Sequence, residues 1–240
     1  MKAIFRKEFR SLMLSASGIS TLALYLIFSG IIFTLFNLVY GYPSAEIVFS
    51  FLAIALIVLL PIISCMAFTS EKKNKTDEFL MTLPLTKAEI LLGKYFARLA
   101  FVAIPTGIMA IYPITLDVFG EVNYLGCYSA LLALFLYEAV LIAFGMMISA
   151  LCRKSLTSFI ITYVTLAASF ALPYVAVLLE KILPERITGI IENILMFFSP
   201  YGQFDSFSTG IFDLKKIVWF IAFSFVALAI AWFKLKKEER

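Results

Sequence analysis

The sequence predicts an all-α polytopic membrane protein with six transmembrane helices. Three observations predict it. Hydrophobic residues make up 62% of the 240 positions, charged residues only 15%, and the mean hydropathy is +0.98. Soluble domains run nearer 45–50% apolar and about 25% charged. Six apolar runs approach the roughly 20 residues needed to cross a hydrocarbon core of about 30 Å. Lys and Arg fall mostly on alternate connections between those runs.

Residues 1–17 form an amphipathic helix. Met1, Ile4, Phe5, Phe9, Leu12, Met13 and Ala16 follow helical spacing, with Lys2, Arg6, Lys7 and Arg10 on the other side. Such a helix lies in the membrane surface with its basic face toward anionic lipid. The spans follow at 19–40, 47–69, 99–116, 124–151, 156–179 and 217–233. The third and sixth are short for a span. Pro105 and Pro113 predict a kinked third helix, because proline removes a backbone donor.

The Lys/Arg distribution sets the orientation. Four lie before the first span, six in 70–98, two at Arg153 and Lys154, and four after the sixth span. The opposite side holds four, Lys181, Arg186, Lys215 and Lys216. Both termini and the 70–98 loop are therefore expected in the cytoplasm. Trp219 and Trp232 bracket the sixth span as interfacial aromatics do. No cleavable signal is evident, since the first apolar run is longer than a signal-peptide core.

The outer loop, 180–216, contains an amphipathic helix. Ile187, Ile190, Ile191, Ile194, Leu195 and Phe198 share one face, and Pro184 and Pro200 bracket it. The hydrophilic 70–98 stretch lies between the second and third spans. Asn74 is placed to cap a short helix, with Asp77 and Glu78 in its first turn and Phe79, Leu80 and Leu83 on its apolar side. Pro84 stops it. Thr86 and Glu89 have capping-box spacing, and a second helix runs from there through Gly93 and Lys94 into the third span.

Several chemistries are excluded or disfavoured. Histidine is absent, which removes HExxH zinc sites and Ser–His or Cys–His pairs. Cys65, Cys127 and Cys152 are widely spaced and form no CxxC, so they read as small apolar thiols. No metal site and no basic block of nucleic-acid type is expected. The longest hydrophilic interval, about 30 residues, is too short for an independently folded enzyme domain. Glu138 lies deep in the fourth span, where a charge costs at least about 2.5 kcal/mol. It serves either as a hydrogen-bond partner between spans or, with Tyr137 beside it, as part of a pathway.

The residues Glu71, Thr76–Leu83 and LPLTKAEILLGK at 83–94 resemble the permease subunits of ABC-2-type exporters. A second stretch, SPYGQFDSFSTGIFDL, is similar to the gliding-motility and nitrous-oxide-maturation branch at Pro200, Phe204, Phe207, Gly210 and Asp213. Lys75 and Gln203 depart from the family's common Gly and that branch's common His. The resemblance covers the whole chain as one domain. It implies a permease half, dimeric with a second copy or a sister chain, bound to two copies of a separate cytoplasmic ABC ATPase that carries ATP and Mg. The coupling contact would involve Glu71, Thr76, Asp77, Glu78, Phe79, Leu80, Leu83, Pro84 and Glu89. The chain itself has no ATP site: around Gly93-Lys94 a P-loop would need Ser or Thr at Tyr95 and Gly at Ala88. The resemblance implies the cytoplasmic membrane of a prokaryote, and the aromatic, weakly polar spans suit a lipid, amphipathic peptide or hydrophobic drug as substrate. The alternatives are a secondary transporter or structural membrane partner without a motor, or an intramembrane enzyme, for which no catalytic pair is evident.

Overall fold

The computed structural model describes residues 1–74, 86–118, 120–180, 185–205, 207 and 213–237. Among these residues there is no strand. The helices are α1 (Lys2–Leu14), α2 (Ala16–Phe33), α3 (Ala45–Ser64), α4 (Met66–Asn74), α5 (Lys87–Met109), α6 (Tyr112–Leu116), α7 (Tyr124–Leu151), α8 (Ser155–Glu180), α9 (Glu185–Phe198), α10 (Pro200–Asp205) and α11 (Leu214–Lys237). A π-helical segment, Thr34–Val39, extends α2. Among the described residues, six helical stretches are long and apolar enough to cross a membrane: Ala16–Val39, Ala45–Lys72, Lys87–Leu116, Tyr124–Leu151, Ser155–Leu179 and Leu214–Lys237.

Local chemistry explains the breaks. Ser15 ends α1 and caps α2, its Oγ accepting from Gly18 N at 3.0 Å. A Cβ at Gly18 would run into the carbonyl oxygen of Leu12, so this tight elbow requires glycine. Asn37, buried within the π-helical segment, donates to Tyr42 O and Ser44 O at 2.6 and 2.9 Å and closes the turn into α3. The third span contains both prolines: α5 runs through Pro105 and ends at Met109, and after a break at Ala110 and Ile111 Pro113 sits in the first turn of α6.

The spans reach further than apolar composition alone indicates. The second continues through a turn at Cys65 to Lys72, and the third begins at Lys87 rather than near Leu99. Asn74 is the last described residue of α4, and the helix it is expected to cap lies outside the described residues. The expected coupling helix, including Thr76, Asp77, Glu78, Phe79, Leu80, Leu83 and Pro84, lies outside the described residues. The outer helix α9 has its start at Glu185 and runs to Phe198.

Helix α7 is the hub. It packs against α3, α4, α5, α8, α10 and α11, and two-thirds of its apolar window is buried. The approach to α3 is tight at Gly145, where a Cβ would collide with Ser64 Oγ. The first and fifth spans have only 17% of their windows buried, against 61% and 67% for the second and fourth. The second and fourth spans therefore form the centre, and the first and fifth carry open apolar faces.

Candidate functional site

The best-defined polar assembly sits where α1, the end of the second span and the start of the third span meet. Helix α5 opens on the expected capping box. Thr86 Oγ1 accepts from Glu89 N at 3.3 Å, and the Glu89 carboxylate accepts from Thr86 N at 3.1 Å. One turn on, Gly93 lets α1 lie close: a Cβ there would be 3.0 Å from Ile4 Cγ2. The next residue, Lys94, is 1% exposed and Arg98 is 4% exposed. Lysine and arginine are almost never this buried unless paired.

Both are paired. Lys94 Nζ donates to Glu71 Oε1 at 2.6 Å, to Glu8 Oε1 at 3.1 Å and to Ala67 O at 2.9 Å. It also lies 5.4 Å from the Phe68 ring centroid, within cation–π range. Arg98 Nη1 donates to Glu8 Oε2 at 3.5 Å, and Nε donates to Ile63 O at 3.1 Å. Two cations of α5 are thus balanced by one carboxylate from α1 and one from α4. Burial alone would raise the Glu8 carboxyl, but Lys94 and Arg98 outweigh it and hold it below the usual carboxylate range. Lys72 Nζ donates to Ala150 O at 3.1 Å, and Ser149 Oγ accepts from Phe68 N at 3.0 Å, so α4 is also fastened to the end of α7.

A second assembly lies inside the membrane region. Glu138 of α7 is fully buried. Its carboxylate accepts from the Tyr25 hydroxyl of α2, and Thr106 Oγ1 of α5 lies 3.0 Å from both carboxylate oxygens. The Tyr25 and Thr106 hydroxyls are 3.1 Å apart, and Ser29 Oγ meets the Tyr112 hydroxyl at 3.1 Å. Glu138 thereby joins the first, third and fourth spans. Tyr137 does not share this cluster: its buried ring packs 5.6 Å from that of Phe204 in α10.

The outer stretch is organised around apolar anchors. Pro200 and Phe204 of α10 and Phe207 beyond it are buried. Gln203 Nε2 donates to Met196 O at 2.9 Å, and Asp213 Oδ1 accepts from Lys215 N at 2.9 Å where the sixth span begins. The Tyr201 hydroxyl is pushed up to about 12, by burial first and then by Asp205 and Tyr174. Gly210 lies outside the described residues.

Residues 37–237 match the family described as ABC-2 family transporter protein. The chain belongs to the ABC-2 transporter family. No curated protein matches it. The match takes in five of the six spans and both polar assemblies in part. This chain is an ABC-type permease and an integral membrane protein.

Of the expected coupling residues of this ABC-2 permease, Glu71 joins the charged assembly. Glu89 caps α5, with the Met1 amino group 3.8 Å from its carboxylate. Five residues escaped sequence reasoning: Glu8, Lys94, Arg98, Tyr25 and Thr106. Periodicity carried a signal for most of them. Leu91, Lys94, Arg98, Phe101, Val102, Pro105, Thr106 and Met109 recur at steps of three and four, so the two cations and the threonine lie on the buried stripe of α5. Gly18, Thr21, Tyr25 and Ser29 do the same on α2 and form a polar stripe on an otherwise apolar helix.

Proposed function

We propose that this permease is one half of an ATP-driven exporter, and that the segment from Lys75 to Pro84 docks on a separate cytoplasmic ABC ATPase. The single observation that supports this most is the 2.6 Å pair between Glu71 and Lys94. It fastens together the two helices that flank the segment, and Glu8 adds α1 to the same unit. Force applied to that segment would pass to the second and third spans and to α1 together. A loop without a load to transmit has no need of buried ion pairs at its base, since such pairs are costly to desolvate.

On this reading the ATPase carries ATP and Mg, two copies serve each assembly, and both termini face the cytoplasm of a prokaryotic cell. A second permease chain, identical or related, covers the open faces of the first and fifth spans. Asp77, Glu78, Phe79 and Leu80 make the contact with the ATPase. Glu138 acts as the hydrogen-bonded joint between three spans. The substrate is hydrophobic or amphipathic, as the apolar and aromatic lining of the spans suggests, and the outer Pro200–Asp213 stretch is related to the gliding-motility and nitrous-oxide-maturation permeases.

The test is reconstitution in proteoliposomes with the ATPase encoded nearest the permease. Wild-type permease should co-purify with it and change its hydrolysis rate. Asp77→Lys with Glu78→Lys should keep the permease folded but remove that effect. Failure of any ATPase to co-purify, or unchanged stimulation in the charge-reversed variant, refutes the docking assignment.

A further inference from the structure

The charged end of α11 and the first turns of α5 enclose a feature that the transport reading does not use. A hollow of about 420 Å³ lies between them, with Leu91 and Leu92 on one wall and Phe225, Leu228, Trp232 and Phe233 on the other. Its volume falls in the range of about 300–1,000 Å³ typical of small-molecule sites. Every lining residue is apolar apart from the Trp232 indole edge. From Phe225 to Phe233 the helix rises about 12 Å, close to the depth of one leaflet's hydrocarbon layer. Because the first turns of α5 and the last turns of α11 share the hollow, Lys87 and the α11 lysines lie at the same end of it. Lys234, Lys236 and Lys237 form the last turn of α11. Lys236 Nζ sits 5.1 Å from the Trp232 ring, which holds its ammonium at the mouth.

We propose that this hollow binds an acyl chain of an anionic phospholipid of the surrounding bilayer, with the lipid phosphate held by Lys236 and Lys237. An apolar slot about one leaflet deep, with a lining tryptophan and the lysines of the same helix end just beyond it, matches the two halves of such a lipid. A second hollow provides the contrast. It measures about 320 Å³ and is lined by Phe144, Leu166, Leu172, Phe198 and Phe223 among others; neither lining carries a cation, and what sets the first hollow apart is Lys236 stacked on its lining residue Trp232. The second hollow offers apolar contact without headgroup chemistry. The nearby carboxylate, Glu89, is engaged by Thr86 and the chain's amino terminus. Glu238 and Glu239 follow the lysines in sequence, outside the described residues. The inference rests on the membrane reading, and on the proposed cytoplasmic termini only for which leaflet supplies the lipid.

The two tryptophans make the test direct. Trp232 lines the first hollow, whereas Trp219 stacks on Phe223 of the second with centroids 4.8 Å apart. Full-length Trp219→Phe and Trp232→Phe proteins in neutral detergent are titrated with phosphatidylglycerol or phosphatidylcholine carrying brominated chains, which quench indole fluorescence on contact. Trp232 should be quenched by the anionic lipid at a mole fraction at least about threefold lower than by the zwitterionic one. Lys236→Gln with Lys237→Gln, both at exposed positions, should remove that preference, and Trp219 should show none. Equal quenching of Trp232 by the two lipids overturns the proposal. So does an equal preference at Trp219, which would mean general enrichment of anionic lipid. Absence of quenching by either lipid means that no lipid chain enters the slot, and also overturns it. The assay contains no ATPase, so its outcome is independent of the docking assignment.

Discussion

Lys94→Met is the most informative single perturbation. The side chains are similar in length, so packing is largely kept while the charge is lost. In the native protein the ammonium serves Glu71, Glu8 and the Ala67 carbonyl at 2.6, 3.1 and 2.9 Å and is 1% exposed. Its removal leaves two carboxylates whose side chains are only 13% and 14% exposed. Glu8 keeps Arg98, but at 3.5 Å. Breaking a buried pair by deleting one partner costs about 3–5 kcal/mol. The residual solvent access of both carboxylates places this case at the lower end, about 3 kcal/mol. For a chain of this size the melting temperature should fall by about 6–12 °C. Thermal unfolding of the detergent-purified protein, followed by intrinsic fluorescence, reads this directly. The companion is Lys94→Met with Glu71→Gln, which removes one of the two carboxylates that lose the ammonium and should recover a large part of the loss. A single variant melting within about 2 °C of wild type, or a double variant no better than the single, would refute the reasoning.

Three further outcomes follow from the same contacts. Glu8 titrates lower folded than its ordinary value of 4.5, so the stability it supplies is present above that value and lost as pH falls through the folded one. The difference in melting temperature between wild type and Glu8→Gln should therefore be flat at neutral pH and shrink toward zero below about pH 4. Glu138→Ala should destabilise by about 2–3 kcal/mol, since it takes the shared acceptor from the Tyr25 and Thr106 hydroxyls and leaves a cavity, while Tyr25→Phe should cost about 1 kcal/mol; unfolding midpoints check both. Gly145→Ala should cost about 1–3 kcal/mol through overlap with Ser64 Oγ, and Ser64→Ala in the same chain should restore part of it, measured by the same melting curves.

The sequence by itself determined the class of the protein and the number of its spans. Transfer of apolar residues into a bilayer depends on composition over about 20 residues, which is a local property. Capping is local too: the box at Thr86 and Glu89 is complete within four residues and forms as its spacing predicts. The amphipathic stripe that predicts α9 is likewise contained in one helix. Where the spans end was less legible, because Ser70–Lys72 and Lys87–Arg98 look hydrophilic in isolation. Only the tertiary structure decided that Lys94 and Arg98 lie inside. Their acidic partner Glu8 is 86 and 90 positions away, and Tyr25 and Glu138 are separated by 113. A charge costs too much to bury unless its counter-charge arrives from another element. Which element arrives depends on close approaches, such as α1 at Gly93 and α3 at Gly145, that no single helix specifies.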